Sequence, residues 1–179
     1  MSDDGLLSAG GVLRLRDAFD RSFAEARRPD PPAIEKLLAI RSGPEPYALR
    51  LSEIAGLYAD RKITPLPGSV PALLGIAGFR GAIVPVYDLP ALLGHRPEEA
   101  ARWLVTAAGA PIAFAFAALD GHLQVAPDAI VAREEAAQPL LYVREFARTA
   151  EIMRPIVHLR SVVDAVRRQV TATLNAEER

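Results

Sequence analysis

The stretch from Leu73 to Gly94, LLGIAGFRGAIVPVYDLPALLG, leaves the chain few ways to fold. Gly81 takes φ > 0 at little steric cost, so Phe79-Arg80-Gly81-Ala82 reads as a hairpin turn between two strands. Ala82 to Val86 runs apolar, and Pro85 removes one ladder donor, which predicts an edge strand or a bulge. Asp88 then caps a helical turn in which Pro90 occupies the first positions, where a missing N–H is harmless. Leu89, Leu92 and Leu93 share one face of that turn, and Gly94 ends it. The turn holds Arg80 as a fixed positive group on an apolar platform, with Phe79, Gly78 and Gly81 around it. Such a feature suits docking and offers no catalytic chemistry.

Around this stretch the rhythm is that of a β protein. Tyr47, Leu49 and Leu51 alternate with Ala48 and Arg50, the period of a half-buried strand. Ile112 to Ala117 alternates large and small residues, as a tight barrel requires, and Asp120-Gly121 reads as a hairpin turn. With 15 prolines and 12 glycines spread along 179 residues, many short strands at turn spacings of about ten residues favour a barrel or sandwich over a βαβ fold. Ile54, Leu57 and Tyr58 come near the end of one such strand and form a candidate apolar patch. Leu66 to Ala72 reads as a loop pre-ordered by its prolines, and Arg96 to Ala101 as a short polar connecting helix.

Helices are expected at the two ends. Val12, Leu15, Ala18, Phe19, Phe23 and Ala26 form an apolar stripe opposite Arg14, Arg16, Asp17, Glu25 and Arg27, and Pro29-Asp30-Pro31-Pro32 stops the helix. Its two phenylalanines need a surface, on this domain, another protein or a second copy. Ser161-Val162-Val163-Asp164 has the pattern of a capping box, with Val162, Val163, Val166, Val170 and Leu174 as the buried stripe of a last helix that frays from Asn175.

Composition and spacing exclude several chemistries. There is no cysteine, which removes disulfides, thiol catalysis and cysteine-ligated metals. His95, His122 and His158 each stand without a second ligand at helical spacing; the first two read as surface residues and His158 as a packing histidine. The acidic pairs lie in polar runs and read as solvated. Neither a P-loop, a G-x-G-x-x-G nor a G-x-S-x-G occurs, so no catalytic residue, cofactor or metal is expected. A formal charge of −1 creates no field for nucleic acid, and the longest apolar run is too short to span a bilayer. The residues alone predict a soluble, cytoplasmic, non-enzymatic domain.

Gly75 to Leu89, read as G-x-x-G-x-R-G-x-x-x-P-V-x-D-L, resembles the signature of CheW-like domains, in which Arg-Gly, Pro-Val and Asp-Leu recur at these spacings. One departure is plain, since the family's usual Asn is Gly78 here. The resemblance covers about residues 36–170, strongly over 73–94, and takes in Lys36–Arg41, Tyr47–Leu51, Glu53–Tyr58, the Pro65-Pro67-Pro71 approach, and a second half from Trp103 to Val131. It leaves 1–35 as an N-terminal extension and 171–179 as a tail. It implies an all-β domain of two small SH3-like five-stranded barrels side by side, with added terminal helices. It further implies a scaffold that couples the cytoplasmic tip of a methyl-accepting chemoreceptor to the regulatory domain of a CheA-type histidine kinase. One surface would serve the kinase and a groove between the barrels the receptor, with Arg80 at a partner contact. The Gly78 departure leaves open a variant that binds the kinase, or itself, without a receptor. A small-ligand-binding β-barrel is the alternative of another class.

Overall fold

The computed structural model describes residues 34–67, 70–96, 100–133, 140–150 and 152–177. The helix expected over Val12–Ala26 lies outside these residues, as do 97–99 of the polar connection expected over Arg96–Ala101. Eleven strands follow in order: β1 (Glu35–Ser42), β2 (Glu45–Arg50), β3 (Ile54–Ala59), β4 (Leu73–Phe79), β5 (Ala82–Asp88), β6 (Trp103–Ala107), β7 (Ala113–Phe116), β8 (Ala118–Val125), β9 (Ile130–Ala132), β10 (Val143–Arg148) and β11 (Met153–Val157). A short helix α1 (Leu89–Leu92) follows β5, and α2 (Leu159–Glu177) follows β11.

Two separate sheets result, one ordered β8-β1-β2-β11-β10-β9 and the other β3-β6-β7-β5-β4. The chain starts in the first sheet, crosses to the second after β2, and returns at β8. β6 and β7 therefore share a sheet with β3 and with the signature hairpin β4–β5, instead of opening a separate second half. Both sheets follow one plan, in which two antiparallel hairpins meet through a parallel pair. In the first sheet that pair is β2–β11, with Ala48 opposite Ile156; in the second it is β5–β7, with Val86 opposite Ala113. The internal repeat is thus in the topology and not in the residues. Closed barrels are not formed by the ladders of the described residues, and both sheets are open. The nearest approach to closure is in the second sheet. There Thr64, in the chain leaving β3, exchanges two backbone hydrogen bonds of 2.8 and 2.9 Å with Ile76 on the outer edge of β4.

The core explains the composition of the strands. One large cluster joins the sheets and α2, including Ile40, Tyr47 and Leu49 from the first sheet, Tyr87, Val105, Phe114 and Phe116 from the second, and Leu159, Val162 and Val166 from the helix. Each sheet also covers its other face: Ala77, Phe79, Val84, Val86, Leu104, Ala113 and Ala115 form one small core, and Leu37, Ala48, Val125, Ala147 and Ile156 another. The alternation in β7 follows from this, with Phe114 and Phe116 toward the large core and Ala113 and Ala115 toward the small one. Val162, Val163 and Val166 are buried as expected; the side chain of Leu174 lies outside the description.

Several local readings are corrected. Asp120-Gly121 is not a hairpin turn but lies within β8, where Asp120 is the extra residue of a bulge between the pairs Ala39–Gly121 and Ile40–Leu119. The bulge turns the Asp120 carboxylate to accept from Arg41 at 3.0 Å and from the buried Arg154 at 2.7 Å. The run Ile112–Leu119 is two strands because β8 leaves β7 at Ala117 to pair with β1. Pro85 sits in an interior strand, yet its missing donor costs nothing, since pairing with β7 begins only at Val86. α2 starts at Leu159, before the expected Ser161, and runs to Glu177 without fraying at Asn175. His95 is half-buried, its Nε2 lying 2.8 Å from the Tyr47 hydroxyl.

Two predictions follow from this packing. Gly75 has φ +143, and a Cβ there would lie 2.1 Å from the Thr64 carbonyl oxygen, whereas Gly81 at φ +84 has open space around it. Gly75→Ala is expected to lose more than about 2 kcal/mol and Gly81→Ala about 1 kcal/mol by denaturant unfolding. Equal losses would mean that the Thr64 bridge gives way freely. The second prediction concerns acid. Burial disfavours the Asp120 carboxylate, but hydrogen bonds from Arg154 and Arg41, and then their charges, outweigh it and hold its pKa below the ordinary 3.8. A carboxyl so lowered adds stability that is whole above its unfolded pKa and is lost as pH falls through the folded one. Stability is therefore expected to decline below about pH 4, and Asp120→Asn to flatten that decline. An identical acid limb in the variant would contradict the assignment.

Candidate docking surface

The β4–β5 turn takes the form that two-residue hairpins prefer, with positive φ at both central residues, +48 at Arg80 and +84 at Gly81. Glycine, asparagine or aspartate would adopt that geometry with less strain; an arginine in the left-handed region costs about 1 kcal/mol. The position therefore spends a little stability to present a guanidinium. Arg80 is exposed, and no carboxylate of the described residues lies within ion-pair distance of it.

The residues around it divide by face. Phe79 is 5% exposed and packs in the small core, its ring centroid 4.7 Å from that of Tyr58. It supports the turn from beneath and presents no surface. Gly78 is exposed and opposite Ile83 in the ladder, with open space where a Cβ would be. Ile83 is 73% exposed, the largest value among the exposed large hydrophobic residues. It was not among the residues singled out from the sequence, although period two was enough to find it: Val84 and Val86 point into the small core, so Ile83 points away.

The β3 residues stand apart from this tip. Leu57 is exposed, while Ile54 and Tyr58 are half-buried, Ile54 against the large core and Tyr58 in the small one. In the sheet, β3 and β4 are opposite edges with β6, β7 and β5 between them. The two groups of candidates thus come from different edges of the sheet, and Tyr58 and Phe79 meet in the small core.

At α1, Asp88 accepts from the Ala91 amide at 3.4 Å as predicted. Burial pushes its carboxyl above the ordinary value, and the amide acts in the opposite direction. Its role is structural. A cleft of about 300 Å³ opens elsewhere, between the β6–β7 turn at Ala107–Ala110 and the first turns of α2. Glu53 closes its base. One Glu53 oxygen accepts the Leu159 N–H at 2.9 Å, the other lies 3.2 Å from His158 Nε2, and its backbone carbonyl accepts the Ala108 N–H at 2.8 Å. His158 Nδ1 is 2.8 Å from the Ser161 hydroxyl, so both ring nitrogens are engaged in packing contacts. Among the described residues no group of three His, Cys, Asp or Glu side chains could hold a metal, and no helix is long and apolar enough to cross a membrane.

Comparison with known proteins places this geometry. A solved structure, the scaffolding protein TtCheW from Thermoanaerobacter tengcongensis, matches with a TM-score of 0.63 at 20% identity, over 70% of this chain and 90% of that one; at that identity the likeness is one of fold. The probable chemotaxis protein CheW of Rhizobium etli is 30% identical over 64 residues, 36% of this chain and 41% of the relative. The chemotaxis protein CheW of Rhizobium meliloti is 28% identical over 64 residues with the same coverage. The chain thus matches about two-fifths of the length of these relatives. The family model for the CheW-like domain matches residues 36–167, most of the chain and all of the strands from β2 to β11, and this protein belongs to the CheW-like family.

Proposed function

We propose that this protein is a cytoplasmic coupling scaffold of chemotaxis-type signalling, which binds the regulatory domain of a CheA-type histidine kinase and the cytoplasmic tip of a chemoreceptor. CheW-like domains are non-enzymatic adaptors, so the function to be explained is binding. In this reading each sheet is one SH3-like half of the domain. The hairpin tip with Arg80, Gly81, Gly78 and Ile83 is one contact surface, and Leu57, Ile54 and Tyr58 on β3 belong to a second.

One observation carries the reading, namely an exposed arginine, without an ion-pair partner among the described residues, held in a left-handed turn where its conformation costs stability. Strain of this kind persists where the surrounding structure overdetermines it and the side chain serves something other than folding. The fixed backbone also lowers the ordering cost of binding. A scaffold of this kind acts by linkage: it binds one arrangement of kinase and receptor more tightly than another and shifts the population toward it. Gly78 favours a narrower variant of the reading. With glycine in place of the family's asparagine, the ladder position opposite Ile83 offers no polar side chain, and the tip pairs one cation with a bare aliphatic surface. A receptor-tip fragment titrated against the protein would separate the two versions, since the narrower one predicts kinase binding alone.

Arg80→Glu is expected to leave the fold intact by circular dichroism, because surface reversals usually stay within about 0.5 kcal/mol. It is expected to weaken calorimetric binding to the regulatory domain of a CheA-type kinase by about 30-fold or more, since removing one member of an interface charge pair costs about 2–5 kcal/mol. Unchanged affinity would remove Arg80 from the interface.

A further inference from the structure

The cleft between the β6–β7 turn and α2 has a wall whose charges make no ion pair among the described residues. Arg160, Asp164 and Arg167 project from α2 into its lining, together with Val163, and all three charged residues are exposed. Spacings of four and three residues put Asp164 between the two arginines on one helix face. Even so, no ion pair within 4.0 Å joins either arginine to Asp164 or to any other described carboxylate. Glu53, the other acid of the lining, has both oxygens engaged by the Leu159 amide and His158, so it neither competes for the guanidiniums nor leaves the helix amide free. The facing wall is Ala107, Ala108, Gly109 and Ala110, the smallest side chains available, with Gly109 at φ +77 and open space where its Cβ would be. Bulk is absent opposite two guanidiniums that no described carboxylate pairs.

We infer that this cleft binds an acidic peptide segment of a protein partner, with carboxylates seated on Arg160 and Arg167 and the small residues of the β6–β7 turn admitting its backbone. Guanidinium forks match carboxylates in geometry as well as charge. A volume of about 300 Å³ accommodates one or two acidic side chains and cannot admit a nucleic-acid duplex. The net charge of −1 supplies none of the broad positive field that a polyanion surface requires. The site is separate from the Arg80 tip and does not depend on the role proposed there.

The test is a chemical-shift titration of the isotope-labelled full chain with hexaglutamate peptide at low ionic strength. Shifts are expected to concentrate at 107–110 and 160–167. Reversing both charges, Arg160→Glu with Arg167→Glu, is expected to weaken binding by about tenfold. Asp164→Asn removes the competing carboxylate and is expected to strengthen it by about threefold, a gain that damage to the fold would not produce. Arg148→Glu, an exposed reversal on β10, is the control for net charge and should change affinity less than about twofold. Shifts spread over the whole surface, an Arg148→Glu effect equal to that of the double reversal, or no gain in Asp164→Asn would each overturn the inference. So would binding of a duplex oligonucleotide or anionic vesicles at the same residues with hexaglutamate inert.

Discussion

The carboxylate of Glu53 ties the crossing between the two sheets to the start of the last helix. Among the described residues no backbone ladder connects the two sheets, and the chain passes from the first to the second through the short turn Leu51–Glu53 and back through Ala117. Glu53 ends that turn and ties together the β6–β7 turn, through its carbonyl, and the start of α2, through its side chain. A negative group at a helix N-terminus also complements the helix dipole and satisfies an amide that would otherwise lack a partner. With α2 so anchored, Leu159, Val162 and Val166 close the core that both sheets share. The relative placement of the sheets thus rests on this side chain, the shared apolar cluster and the one-residue crossing at Ala117 between β7 and β8.

The same arrangement separates the packed face of the second sheet from the exposed hairpin tip proposed for docking. The second sheet commits one face to the small core, so the hairpin is packed up to its last residue, where Phe79 is still buried and Arg80 is not. The domain can therefore hold an unfavourable backbone conformation at Arg80 without loosening. Ile83, pointing away from the small core beside it, gives the tip an apolar contact next to a fixed charge. In the proposed role, such a surface changes partner affinity without rearranging the domain.

Local chemistry was legible in the sequence and long-range pairing was not. The turn at Arg80-Gly81, the cap at Asp88 and the buried leucines of α1 rest on residues within a few positions of each other, and all were readable. Asp120-Gly121 has the same local signal for a hairpin and for a bulge; β1, about eighty residues earlier, decides for the bulge by pairing with β8 on both sides of it. The start of α2 was misplaced because its capping group is not Ser161 but Glu53, 106 residues away from Leu159. The shared plan of the two sheets was hidden for a related reason, since the parallel pairs β2–β11 and β5–β7 join segments with no common residue pattern. The site candidates came in two groups, the Arg80 turn and an apolar run on β3, and only the long-range strand order places those two groups on opposite edges of one sheet.

The central claim is that the domain docks through the β4–β5 tip as a preformed rigid element. Hydrogen exchange measured on the free protein and on its complex with the regulatory domain of a CheA-type kinase tests it most directly. The account predicts that amides at 78–83 gain protection in the complex while those of β7 and α2 exchange as before. Protection confined to other strands, with 78–83 unchanged, would contradict it.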